Sequence, residues 1–446
     1  MDRRNFIKAA GLTSVLATLP TAFQIRAGQA GFEGKFLITV QAEGGWDVSS
    51  LCDPKMNVPG ELKINNWADS DETRTAGNIQ YAPFGANQNF FEKYHNDMLV
   101  INGIDAQTNS HTSGVVHNWS GRISNGFPTL TALYAAANAP NLPISYINNG
   151  GFGETAGITR YTRLDDANSI QNIVEPNTNL YNPNQHRVSE LDWQLMTQLR
   201  NDQMTQQLSQ NNLTFRERLA ISNYQSALNN ASILKDFSTE LSNAGELANE
   251  EEKTAFNSSL KKQGQLALIA MKSGVSVAAD LHEGGAFDSH QLHDRDQRDS
   301  LQVTTDGIDY IWQYAEQLGI ADRLVMVVMS DFARTPYYND TEGKDHWPIG
   351  SAIIMERDAP WGNRMVGLTD QEQNIIPINP ITMQADANSG KIIYPKHIMQ
   401  SLREYMGVAD HSVAQPFKFN NDESFSFFDA NVSTPQGSDP RNLVRV

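Results

Sequence analysis

The second half of the chain alternates short apolar runs with stretches of helical period, and this alternation restricts the fold more than any other feature. Residues 254–272 carry a helical pattern, Val275–Leu281 reads as a strand, Val303–Gln317 as a helix and Leu324–Met329 as a strand rich in Val and Met. Gly350–Met355 reads as a further strand and Tyr394–Tyr405 as a late helix. Strands that alternate with helices of this length predict an α/β fold, a mainly parallel sheet with helices on both faces. Two earlier apolar runs, Phe36–Gln41 and Met98–Ile101, add strands, and Leu130–Ala137 adds a helix. Residues 140–185 are rich in Gly, Asn and Pro and read as loops.

Between about 187 and 250 the pattern is helical but Gln- and Asn-rich. Thr214 followed by Glu217 fits a capping box. Ile221, Tyr224, Leu228, Ala231, Leu234, Phe237 and Leu241 recur at spacings of three and four on one face. This block reads as an insertion or cap on a main domain of residues 31–408. The tail, residues 409–446, is polar and without period beyond Phe417.

The N-terminus reads as a removable export signal over residues 1–30. Arg3-Arg4-Asn5-Phe6-Ile7-Lys8 is a basic start with paired arginines, followed by a mostly apolar stretch to Phe23. That stretch is too short and interrupted to cross a hydrocarbon core of ~30 Å. Gly28-Gln29-Ala30 supplies small residues for cleavage. The arginine pair resembles the twin-arginine motif, which predicts use of the twin-arginine machinery and a periplasmic or secreted protein. A formal charge of −17 argues against nucleic acid and anionic lipid as partners. No later stretch reads as a membrane span. The single cysteine, Cys52, permits no intramolecular disulfide and reads as a small buried apolar residue.

The chemistry gathers where strands end. In open parallel sheets, sites form beyond the carboxyl ends of the strands. The first strand runs into Glu43-Gly44-Gly45-Trp46-Asp47, the strand at 275–281 into His282-Glu283-Gly284-Gly285-Ala286-Phe287-Asp288-Ser289-His290, and the strand at 324–329 into Ser330-Asp331 and Arg334. Six of the ten histidines fall in such segments: His111, His117, His282, His290, His293 and His346. Mixed Asp and His sets suit zinc, manganese or iron, and carboxylates alone a harder, calcium-type ion. Each residue also has a plainer role open to it, as a cap, a turn former or an ion-pair partner. Ser110-His111-Thr112-Ser113-Gly114 sits where a helix N-terminus beside a cation would favour a nucleophile; these residues equally serve as a cap.

Gly44-Gly-Trp-Asp47, Gly284-Gly-Ala-Phe-Asp-Ser-His290, Ser330-Asp-Phe-Ala-Arg-Thr-Pro336 and Gly343-Lys-Asp-His-Trp-Pro348 together resemble the bacterial family catalogued as domain of unknown function 1501. That family is in turn similar to the alkaline phosphatase and sulfatase superfamily. The resemblance implies an alkaline-phosphatase-like fold and a divalent metal held by Asp47, Asp288, His290, Asp331 and His346. It places His111 where those enzymes carry their nucleophile, counting from Ser120-Gly121, with Thr112 adjacent, and Phe332 where they often carry His or Asn. The expected function is an exported, metal-dependent hydrolase of phosphate or sulfate esters. In it His111 or Thr112 would attack, and Arg334 or Lys344 would hold the anionic group of a small ester. The alternative is a non-catalytic metal-binding or assembly protein that keeps the fold. A scaffold whose Asp and His residues only satisfy turns is the third possibility.

Overall fold

A computed structural model describes residues 32–150, 152–164, 175–179, 182–210, 213–214, 216–218, 220–221, 224, 231–243, 259–283, 287–419 and 423–434. The expected export signal lies outside them. The core is a seven-stranded sheet. Its strands are β1 (Phe36–Ala42), β2 (Met98–Asp105), β3 (Tyr146–Asn148), β4 (Ala278–Glu283), β5 (Leu324–Ser330), β6 (Ile349–Glu356) and β7 (Arg364–Val366). Their order is β7-β2-β6-β5-β1-β4-β3. Only β6 runs against its neighbours; β3, β4, β1 and β5 are parallel, and β7 is parallel to β2. Residues of β1, β5 and β6 are buried on both faces, which is why these strands read as unbroken apolar runs.

The reversal of β6 decides which segments meet at the sheet edge. Parallel strands deliver their C-terminal ends to one edge, and an antiparallel strand begins at that edge. The chain just before β6, residues 343–348, therefore arrives beside the segments that leave β1, β2, β4 and β5.

The described helices are α1 (Asn87–Tyr94), α2 (His111–Ser120), α3 (Leu130–Asn138), α4 (Glu190–Leu208), α5 (Ala231–Asn243), α6 (Leu260–Lys272), α7 (His293–Gln317) and α8 (Pro395–Tyr405), and α2, α3 and α6 lie directly on the sheet. Helix α6 packs on β4 and α7, while α2 packs on α8 and β5. Helix α7 starts ten residues before the periodic stretch at 303. Its first turns, His-Asp-Arg-Asp-Gln-Arg-Asp-Ser, are mostly polar and give no apolar stripe, although His293, Gln297 and Ser300 are buried. Strand β3 also differs from the loop reading, because three residues at a sheet edge in a Gly/Asn-rich segment are too few to show a period.

In the helical block, Leu234, Phe237 and Leu241 are buried in the core as their spacing predicts. Thr214 and Glu217 form the capping box, with Thr214 N–H donating to Glu217 Oε2 at 2.8 Å. Leu228 lies outside the described residues, and Tyr224 is exposed. The segment after Phe417 is more than a polar tail. Phe425 and Phe427 are buried, and Arg364 donates to the carbonyls of Phe427 and Asp429. Two aromatic anchors in a polar stretch leave no periodic signal. Cys52 is buried, and burial pushes its thiol up to about 12. Among the described residues no helix is long and apolar enough to cross a membrane.

Candidate metal centre

The turn after β1 sets the geometry. Gly44 and Gly45 both have positive φ, 105° and 79°, which glycine adopts without strain. Their two N–H groups point the same way and donate to Asp331 Oδ1, each at 3.0 Å. Asp331, fully buried at the end of β5, is thus fixed by the backbone of the neighbouring strand. Its other oxygen, Oδ2, bonds His111 Nδ1.

His111 opens α2 after β2. That helix lies close on β5 because residue 114 is glycine; a Cβ there would stand 2.4 Å from the Asp331 carbonyl oxygen. Gly114→Ala is therefore expected to destabilise the protein. The helical gain of about 1 kcal/mol is outweighed by an overpacking cost of about 1–3 kcal/mol. The shift of α2 also withdraws His111. Denaturant unfolding and bound-metal content, measured together, check both effects.

Three imidazoles converge on one carboxylate. Asp288 Oδ1 lies 3.5 Å from His111 Nε2, 3.2 Å from His290 Nε2 and 3.4 Å from His346 Nε2. The Nε2 atoms of His290 and His346 are 3.0 Å apart. His111, Asp288 and His346 offer ligand atoms that all lie within 4.8 Å of one another. Each ring is held through its other nitrogen. His111 Nδ1 faces Asp331, His290 Nδ1 faces Asp345 Oδ1 at 2.7 Å, and His346 Nδ1 faces the Asn109 carbonyl at 2.7 Å. Carbonyl and carboxylate oxygens accept only, so each neutral ring carries its proton on Nδ1 and presents a bare Nε2. Bare lone pairs 3.0 Å apart repel unless a proton or a cation lies between them.

A divalent cation fits this donor set. Tetrahedral ligands at ~2.0–2.1 Å stand about 3.4 Å apart, close to the spacing of Asp288 Oδ1 from the three nitrogens. His111 Nε2 is buried without a hydrogen-bond partner. Three carboxylates, Asp288, Asp331 and Asp345, against the one guanidinium of Arg334 leave two formal negative charges beside the imidazoles. Outer carboxylates and carbonyls on the far nitrogen of a ligating histidine fix its tautomer and raise its basicity. The Asp331 hydrogen bond is the largest influence on His111 and raises its pKa against burial. Burial pushes the Asp288 carboxyl up, but the hydrogen bond and charge of Arg334 lead the effects that outweigh it and hold it below its usual range.

The remaining residues expected at the site have other partners. Asp331 reaches the cluster through His111, not through a free oxygen. Asp47 lies apart, fully buried and saturated: it accepts from Lys344 Nζ at 2.7 Å, from His293 Nε2 at 2.8 Å and from Ser49 Oγ at 2.6 Å. Its place at the end of β1 is as the sequence suggests, but its carboxylate is paired with the Lys344 ammonium and is not one of the groups gathered around Asp288. Lys344 also donates to Ser49 Oγ and Asn65 Oδ1, so it has no proton left for a substrate. Arg334 is fully buried; it donates to the Gly44, Gly45 and Lys344 carbonyls and to Asp288 Oδ1 at 2.6 Å. It is a clamp on Asp288, with no edge turned to a ligand. Thr112 is exposed on the first turn of α2. Phe332 is buried with its ring 4.7 Å from that of His111 and 4.6 Å from that of His346, and forms a wall behind both. Sequence reasoning missed Asp345 and the Asn109 carbonyl. An acid directly before the expected ligand His346 was the available signal for Asp345; a backbone carbonyl leaves none.

The family model described as "Protein of unknown function (DUF1501)" matches residues 35–370. The chain belongs to that family. All the DUF1501 residues quoted for the cluster, from Asp288 to His346, fall inside the matched span. No curated protein matches the chain significantly. Among solved structures, this DUF1501 chain is similar to a Bacteroides thetaiotaomicron protein of glycosaminoglycan metabolism, with a TM-score of 0.40 and 10% identity over 90% of this chain and 78% of that one. It is similar to a Vibrio parahaemolyticus protein in the alkaline phosphatase superfamily, with a TM-score of 0.36 and 8% identity over 91% and 76%. A TAB5 alkaline phosphatase variant with Mg bound gives a TM-score of 0.33 and 9% identity over 84% and 99%.

Proposed function

We propose that the chain is an exported, metal-dependent hydrolase of phosphate or sulfate esters, carried out of the cytoplasm by the twin-arginine route. The convergence of three imidazole Nε2 atoms on Asp288, each ring locked by an acceptor at Nδ1, carries the reading. His111, His290, His346 and Asp288 would hold a divalent cation, which supplies Lewis acidity to an ester oxygen. Asp331 and Asp345 keep the ring protons on Nδ1, and Arg334 orients Asp288. The first turn of α2 has no side-chain cap. Its free N–H groups, at the positive end of the helix, are the groups that would take an anionic oxygen, since Arg334 and Lys344 are engaged. Thr112 stands on that turn with its side chain exposed.

One observation favours a second reading, a metal-binding protein without turnover. The ring of His111, the residue that the family resemblance puts at the nucleophile position, is held by Asp331 at Nδ1 and faces Asp288 through Nε2.

Metal analysis of the mature protein, with nitrophenyl phosphate and sulfate assays before and after chelation, separates the two. About one equivalent of metal with chelator-sensitive turnover supports the hydrolase. Stoichiometric metal without turnover supports the binding protein, and absence of tightly held metal removes both. Export is checked by Arg3→Lys with Arg4→Lys, which is expected to leave unprocessed precursor in the cytoplasm.

A further inference from the structure

Asp288 and His290 stand at the mouth of the cluster, their side chains 50% and 46% exposed, while Ser289 between them is turned inward and is 1% exposed. The Ser289 hydroxyl lies 2.8 Å from His293 Nδ1, and the opposite nitrogen of that ring, Nε2, lies 2.8 Å from Asp47 Oδ2. Asp47 in turn accepts from Lys344, which directly precedes Asp345 and His346. The Lys344 N–H also donates to the Ser289 carbonyl at 3.1 Å. One buried ring therefore joins the loop that carries Asp288 and His290 to the ion pair that anchors the loop of His346.

The acceptors fix the direction of these bonds. Burial lowers the His293 pKa against the pull of Asp47, so the ring is neutral at pH 7 and has one proton. A carboxylate only accepts, which places that proton on Nε2 and leaves Nδ1 to accept from the Ser289 hydroxyl. Gln297, one turn further along α7, fits the same scheme. Its Oε1 accepts the Asp47 N–H at 2.8 Å, and its Nε2 donates to the Phe287 carbonyl at 2.8 Å and to Ser289 Oγ at 3.0 Å. The Phe287 carbonyl, 3.2 Å from Ser289 Oγ, is thus already served, and the hydroxyl proton goes to His293. Leu292, just before His293, has φ of 51°, a left-handed conformation that costs a leucine free energy. That turn brings His293 under the loop it holds.

We propose that His293 is a positioning residue of the candidate metal centre: as the Nε2–H tautomer it fixes Ser289, and through Ser289 the places of Asp288 and His290. Ser289, His293 and Asp47 have the members of a nucleophilic triad, yet Ser289 is sealed from any substrate, so the row acts on the loop and not on an ester. The inference rests on the reading that Asp288, His290 and His346 hold a cation.

Zinc titration of the metal-free mature protein against a competing chelator tests it, with urea unfolding of each variant alongside. Ser289→Ala removes one hydroxyl without adding volume and is expected to weaken zinc binding about tenfold. His293→Gln keeps a donor for Asp47 at the place of Nε2 but offers Ser289 no acceptor, and is expected to show the same loss. His293→Asn puts an acceptor at the place of Nδ1 and gives up the bond to Asp47. Its zinc affinity is expected to stay within about threefold of the wild type, although its urea midpoint falls at least as far as that of His293→Gln. The double variant Ser289→Ala with His293→Gln is expected to lose no more affinity than either single one. Nitrogen-15 NMR of the histidines is expected to show His293 protonated on Nε2 alone. With zinc still bound by the wild type, unchanged affinity in Ser289→Ala, equal losses in His293→Gln and His293→Asn, or a proton on His293 Nδ1 would each overturn the proposal. A wild type that binds no zinc would overturn the metal reading and the proposal with it.

Discussion

Asp288→Ala is expected to yield a folded protein that no longer keeps the proposed cation through gel filtration. Asp288 Oδ1 is the oxygen that all three Nε2 atoms face, at 3.2–3.5 Å. Without it the three imidazoles are the only donors left and half the local negative charge is gone. The side chain is half exposed, so its removal opens no core cavity. Arg334 keeps its three carbonyl partners. Metal affinity is expected to fall by at least about a hundredfold, and ester turnover with it. Asp345→Asn, which only perturbs the proton on His290 Nδ1, is expected to lose about 10- to 100-fold in affinity. Elemental analysis and a competing chelator measure both. An Asp288→Ala protein with full stoichiometric metal would sink the assignment.

Breaking the Asp47–Lys344 pair gives the largest loss of stability. Both side chains are completely buried. Asp47→Ala leaves an ammonium in the interior without its counter-charge, a change that costs about 3–5 kcal/mol. Lys344→Met strands the carboxylate at a similar cost. The double variant is expected to recover much of the loss, since an apolar replacement for a buried pair is often neutral. Burial pushes the Asp47 carboxyl up, but Lys344 and His293 outweigh it and hold it far below the usual carboxylate range. The stabilisation is therefore complete above the unfolded-state pKa of about 3.9 and fades as pH falls below it. Urea midpoints at pH 7, 5 and 3.5 should show a steeper acid-side fall in the wild type than in the double variant. Lys344 also anchors the loop that carries Asp345 and His346. Asp47→Ala should therefore loosen metal binding although Asp47 touches no ligand; undiminished affinity in a folded variant would exclude that coupling.

The central strands were readable because both their faces are buried, so β1, β5 and β6 appear as continuous apolar runs. The start of α7 was not, since its buried His293 and Gln297 are polar and serve Asp47 rather than the core. The cluster shows the same division. Asp288, His290 and Asp331 are legible as acids and a histidine just beyond strand ends, and His346 in the loop that leads into β6, where the sheet edge must gather them. Which of them faces a ligand and which faces a neighbour is decided by contacts that local pattern does not encode. Asp47 pairs with a lysine 297 positions away. Arg334 pairs with a carboxylate 46 positions before it. Each has the residue type and strand-end position of a site group, and each is diverted by a partner that only the folded sheet supplies.

The reversed direction of β6 also fixes when the centre can exist. His111 and Asp331 are 220 positions apart, and His346 comes later still, on the approach to the strand that must insert between β2 and β5. Closing contacts of such separation is slow compared with forming local helices. During synthesis, a chain released only as far as β5 has His111, Asp288 and His290 but no His346, and its sheet still lacks the strand that joins β2 to β5. The binding centre is therefore a late product of the ribosome, completed only after about three quarters of the polypeptide has emerged. An apparatus that threads chains outward during elongation would meet ligands that have not yet found one another.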